Sequence, residues 1–202
     1  MRYFFPLMLL SILSCRQKVV ELRGFVSVWP KNIDTSYLKK QRKQFLNNLN
    51  INDISLGVDS FEIRLARNHA LFVEKDLFVI IFLNNKWTAI HYAFQGDLDD
   101  SISFQKREFL PINPVKSLID SIYLSGILDI PSQVDLKDYR NRVADGEYFV
   151  MEFATKDKFK LILYENPYHY PEYAESKIVS NFIEMFYRNI PHEEICWPRC
   201  AD

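Results

Sequence analysis

The chain has 202 residues, 25 basic against 26 acidic, and a formal net charge of −1. That balance supplies no overall positive field, so no nucleic-acid partner is expected. At 48% hydrophobic and 15% aromatic residues the chain has ample material for a core, which excludes general disorder.

One basic residue, Arg2, precedes a nearly continuous apolar run from Tyr3 to Leu13. The run is shorter than the roughly 20 residues that span a bilayer, but it fits the apolar region of a signal peptide. Ile12, Leu13 and the small Ser14 then lead into Cys15. Positions 2–15 resemble the lipobox signal peptide of bacterial lipoproteins, in which the matching cysteine is acylated and becomes the mature N-terminus. The resemblance implies a signal peptide over 1–14 and a lipidated Cys15 with a tether over 15–30. Palmitate-type acyl chains would then hold the protein at the cell envelope without a spanning helix. In such lipoproteins an Asp after the cysteine can signal inner-membrane retention. Arg16 stands there instead, so the outer membrane is the favoured address.

Glu21 to Trp29 reads as an extended segment that Pro30 ends. Asp34 is placed to cap a helix from Thr35 to about Asn48, because its carboxylate can accept the orphan amide hydrogens of the first turn. Tyr37, Leu38, Phe45, Leu46 and Leu49 make its apolar face. Lys39, Lys40, Arg42 and Lys43 make a basic face, expected to be solvated or to rest on anionic head groups near the anchor. Phe61, Ile63 and Leu65 alternate with Glu62 and Arg64, the pattern of a half-buried strand. Leu77 to Leu83 is continuously apolar and predicts a central strand covered on both sides. Asn84-Asn85 offers a tight turn into a returning strand, Trp87 to Phe94. On that strand Trp87, Ala89, His91 and Ala93 share one face, and Thr88, Ile90, Tyr92 and Phe94 the other. Ile102 to Leu110 predicts a further strand.

Asn113-Pro114 predicts a capped helix start, and Val115, Leu118, Ile119, Ile122 and Tyr123 follow at helical spacing up to a Gly126 stop. Pro131 to Asp145 is polar and predicts an exposed loop with a marginal turn of helix. A second hairpin joins Glu147–Thr155 to Phe159–Tyr164. A last helix over about Tyr173 to Tyr187 carries Ile178, Val179, Phe182, Ile183 and Phe186 as its apolar stripe. Strands that neighbour one another in sequence predict an α+β fold: an antiparallel sheet of five to six strands, with about three helices packed mainly on one face. One domain over 31–190 and a C-terminal tail over 191–202 complete the expected organisation. In an oxidising compartment the default for Cys196 and Cys200 is a small disulfide loop, with free thiols, a redox pair or metal ligation as alternatives. Three residues separate them, one more than in the usual redox motif.

No phosphate-cradling loop, nucleophile elbow or zinc-protease helix is present, and five glycines make a nucleotide loop improbable. No cofactor and no metal are therefore expected, the His192, Glu193, Glu194, Cys196, Cys200 tail matching no standard zinc spacing. Glu62, Arg64, His91, Glu152 and Lys160 could line one mixed surface across neighbouring strands. The candidate binding surface is formed by Trp87 and His91 with the Tyr-rich segment, of which Tyr168, His169 and Tyr170 are the centre. The more ordinary alternatives are cross-strand charge pairs and rings that pin a loop over the core. The leading expectation is a non-catalytic binding or structural module that meets an envelope protein or glycan. The competing ones are a hydrolase using His91 or His169 with a carboxylate, and an inhibitor or immunity-type protein.

Overall fold

The first helix starts where the sequence places its cap. In a computed structural model of the chain, Asp34 Oδ1 accepts from the backbone N–H of Ser36 at 2.9 Å and of Tyr37 at 3.3 Å, and α1 runs Thr35–Asn48. The structure describes residues 26–69, 74–83, 86–95, 103–140, 142–143, 146–191 and 193. Cys15 with its leader and the start of the tether, the Asn84-Asn85 turn, His192, Glu194, Cys196 and Cys200 lie outside the described residues.

Six strands follow: β1 (Phe61–His69), β2 (Glu74–Leu83), β3 (Lys86–Gln95), β4 (Ser103–Phe109), β5 (Glu147–Thr155) and β6 (Phe159–Glu165). They form one antiparallel sheet in the order β4-β3-β2-β1-β5-β6. Helix α2 (Val115–Ser125) lies between β4 and β5 in sequence, and α3 (Ala174–Tyr187) follows β6. The fold is α+β, with six antiparallel strands and three helices among the described residues, as the order of elements predicts.

Alternation divides each strand between two cores. Phe61, Ile63 and Leu65 join Phe78, Ile80, Met151, Phe153 and Ile162 under α2 and α3, where Ile119, Ile122, Phe182 and Phe186 are sealed. Two of the three helices thus share one face. Helix α1 crosses the opposite face and covers two smaller clusters, one around Leu77, Val79, Tyr92 and Phe94, the other around Ala154, Phe159 and Leu161. The β2 run is buried from Leu77 to Ile80 on both sides, as its continuous apolar sequence requires. Val28 adds a single parallel bridge to Lys160, donating to Phe159 O and accepting from Leu161 N, both at 3.1 Å.

Three expectations change. Asn113 does not cap α2: the cap position is Pro114, without a side-chain bond, and Asn113 Nδ2 donates instead to Asn189 Oδ1 at 2.9 Å. The segment after Pro131 is not an open loop at its start. Ser132 and Gln133 are buried along β6, where Gln133 accepts from Glu165 N (2.6 Å) and donates to Glu165 O (2.9 Å). A side-chain amide so occupies the hydrogen-bonding edge of the last strand, which blunts it against pairing with another chain. Glu62 and Arg64 are not on a half-solvated face either: both are buried, and Arg64 reaches Asn52 O in the loop after α1.

Candidate functional site

The register separates the residues that the alternation pattern groups together. Phe78 pairs with His91, and Phe153 with Lys160, which puts both polar residues on the α2/α3 face. Arg64 pairs with Glu152 on the α1 face, with Glu62 on the same side of β1. The five residues therefore form no common surface.

His91 is 1% exposed and is not a surface group. Its ring stacks on Phe78 at 4.4 Å and 8°, and its Nε2 lies 2.9 Å from Asp76 Oδ1. Asp76 Oδ2 accepts from Arg67 Nη2 at 2.5 Å, and the Arg67 guanidinium stands 5.5 Å from the Tyr187 ring. Burial alone would push the Asp76 carboxyl up, but the His91 hydrogen bond and the Arg67 guanidinium outweigh it and hold it below its ordinary value. Burial drives the Tyr187 hydroxyl well above its usual range. This is a general-base constellation by composition, yet its members close on one another inside the core. Trp87 packs half-buried on Phe82 and Phe61 rather than facing solvent.

In the Tyr-rich segment the rings mostly pin the chain. Tyr170 is fully buried, so it leaves the predicted surface, and its hydroxyl accepts from Arg142 N at 2.8 Å. Tyr164 donates to Pro131 O at 3.2 Å and Tyr173 to Asp138 O at 3.0 Å. Tyr168, 45% exposed, and His169 remain on the surface of the short 3-10 turn Pro167–His169. Burial of part of the ring, with Glu147 and Glu184 nearby, pushes the Tyr168 hydroxyl up to about 12.

The polar cluster on the other face was not anticipated. Arg42 is buried rather than part of the basic stripe, since the helix turns it toward the sheet; Lys39, Lys40 and Lys43 stay exposed. Its Nε and Nη2 both donate to Glu152, the latter at 3.0 Å, and Nη1 donates to Asp53 Oδ1 at 2.5 Å. Arg64 Nε donates to Glu62 Oε1 and Nη2 to Asn52 O, each at 2.7 Å. Its Nη1 is buried without a hydrogen-bond partner among the described residues, with Glu152 Oε2 at 3.7 Å. Burial raises the Glu62 carboxyl above its ordinary value, against the pull of Arg64. Burial would lower Arg42, but the bonds to Glu152 and Asp53 reverse the sign.

Next to this cluster, between α1 and the sheet, is a cavity of about 190 Å³. It follows three cross-strand rows. Arg64, Glu152 and Leu161 form the first, Leu77, Ala66, Val150 and Leu163 the second, and Asn68, Lys75 and Phe94 the third. Leu38, Arg42, Phe45 and Leu46 of α1 form the roof. From row one to row three is four residues of β1, or about 13 Å at a strand rise of roughly 3.3 Å. The buried Arg64–Glu152 row closes one end, and among the described residues the other opens past exposed Asn68. The space separates the two apolar clusters of this face, so it is a feature of how α1 spans the sheet.

The hidden signal for the His91 cluster was the hairpin: closing β2 on β3 at Leu83 and Lys86 sets Asp76 one position diagonal to His91. For Arg42 the signal was weaker, a single basic residue at helical spacing with Leu38, Phe45 and Leu46. Among the described residues no group of three or more His, Cys, Asp and Glu side chains could hold a metal, and no helix is long and apolar enough to cross a membrane. No family model, no curated protein and no solved structure shows significant similarity to the chain.

Proposed function

We propose that this chain is an envelope lipoprotein, acylated on Cys15, whose α+β domain is a non-catalytic binding module. The order of Arg2, apolar run, Ser14 and Cys15 supports the anchor. The observation that carries the domain reading is the closure of His91. A general base must come within hydrogen-bond reach of a substrate proton, directly or through one water. His91 instead spends Nε2 on Asp76 beneath Phe78 and is 1% exposed. The exposed His169 forms no ion pair among the described residues, so neither histidine of the hydrolase alternative offers an accessible acid–base pair. The polar pair acts as a structural tie, and the cavity under α1 lies on the other face of the sheet. The outer membrane is the proposed site, with the membrane itself held through acyl chains and an envelope component as the proposed partner.

The test of the anchor is intact mass after membrane extraction, wild type against Cys15→Ala. A lipid-sized mass on the wild type, lost with release into the soluble fraction in the variant, is the expected result. An unprocessed, unmodified wild type would overturn it.

A further inference from the structure

We infer that the outer face of α1 docks the domain on anionic phospholipid head groups of the membrane that holds Cys15. The inference takes the identity of that membrane from the lipoprotein reading; the basic face itself is read from described residues. Lys39, Lys40 and Lys43 are exposed on one stripe of α1, at spacings of three and four, and α1 contains no Asp or Glu. Lys39 Nζ stands 4.9 Å from the Trp29 ring, and Lys40 and Lys43 form no ion pair among the described residues. Like charges one helical turn apart repel, and no acid on the helix offsets them. A surface of phosphodiesters offsets all three together.

Charge also selects the side of the domain. On the opposite face of the sheet, α2 and α3 carry Lys116 and Lys177 against Asp120, Glu175 and Glu184, an acid more than bases. The α1 side therefore turns toward an anionic surface and the α2/α3 side away from it. Apolar groups fringe the stripe: Val26 and Ile33 are exposed before the helix, and Tyr37 is exposed in its first turn. Lysines beside such side chains suit a helix lying in a head-group layer, where an aromatic ring with a polar tip is also favoured. From Cys15 to Val26 the chain reaches at most about 40 Å, which keeps the start of α1 near the anchor.

The experiment is lysine footprinting of the protein extracted from membranes and added to excess preformed vesicles. The vesicles are phosphatidylcholine alone, or phosphatidylcholine with phosphatidylglycerol. A water-soluble acetylating reagent is applied, and the rate at each lysine is read by peptide mass. Lys39, Lys40 and Lys43 should be acetylated at least about fivefold more slowly on the anionic vesicles, the worth of one basic residue at such a surface. Lys116 and Lys177 should react equally on both. Salt at about 1 M, where screening acts within roughly 3 Å, should remove the protection. Lys40→Glu with Lys43→Glu, both at exposed positions, should leave Lys39 equally reactive on the two kinds of vesicle. Equal labelling of the wild-type stripe on both vesicles would overturn the proposal and leave an acidic protein as its partner. Protection shared by Lys116 and Lys177, or surviving salt or the double substitution, would overturn it too. An unacylated wild type fails the anchor by its mass, while the footprint still judges the stripe.

Discussion

Replacing Arg42 by Met should cost far more than a surface charge on an amphipathic helix costs. The side chain is 7% exposed and Glu152 is 6% exposed, with two parallel donors joining them. Removing the guanidinium leaves Glu152 inside, with Arg64 Nη1 at 3.7 Å as its nearest remaining cation. Breaking a buried pair from one side typically costs about 3–5 kcal/mol, whereas a solvated surface substitution stays within about 0.5 kcal/mol. For a chain of this size that is a fall in Tm of roughly 6–20 °C. Glu152→Leu alone should cost somewhat less, because Arg42 keeps Asp53 at 2.5 Å. The double variant, Arg42→Met with Glu152→Leu, should recover most of the loss, since an apolar replacement of the whole pair is often neutral or stabilising. The assay is a double-mutant cycle in urea, read as midpoint and slope together. A coupling of about 2 kcal/mol or more is expected. Additive losses, or an Arg42→Met variant indistinguishable from wild type, would refute the buried-pair reading and return Arg42 to the solvated face.

Other outcomes follow from the same geometry. Asp76 has a folded pKa below its ordinary 3.8, so its contribution is complete above that value and is lost as pH falls below it through the folded pKa. Urea midpoints measured from pH 6 to 2 should therefore drop more steeply below pH 4 in wild type than in Asp76→Asn. Gly57 sits at φ +102°, and an added Cβ would lie 2.2 Å from Lys156 O. Gly57→Ala should accordingly lose at least about 2 kcal/mol, the strained backbone and the carbonyl clash acting together, and a thermal melt within 2 °C of wild type would contradict this. Gln133→Ala should release the covered edge of β6 and cost about 1–3 kcal/mol, with faster amide exchange at Glu165 as the specific sign.

Much of the fold was legible because its signals are local. Asp34 marks the start of α1, Gly126 in the left-handed conformation marks the end of α2, and the β2–β3 hairpin follows from alternation and a short connection. What was not legible depends on strand order. β1 pairs with β5 across 78 to 94 residues of chain, and only that pairing sets Arg64 beside Glu152. Periodicity states that Glu62 and Arg64 share a side; it cannot state whether a helix or water lies over it. The basic residues of α1 illustrate the same limit, since Lys40 and Arg42 look alike in sequence and only the packing of α1 sends Arg42 inward. His91 was rightly singled out and wrongly exposed: its face was readable, but the cover depends on α3, whose Tyr187 packs on the Phe78 ring beside it and is distant in sequence. The Tyr-rich segment divides for a comparable reason. Tyr164 and Tyr170 face the core and reach loop backbone, and only Tyr168 and His169 are left outside.

The closure of His91 is the observation on which the non-catalytic reading of the domain stands. The most direct measurement is carbethoxylation of the native full-length chain, read by peptide mass. Rapid modification of exposed His169, with His91 protected until the chain is unfolded, is the predicted result. A His91 that reacts as fast as His169 in the native chain would contradict it.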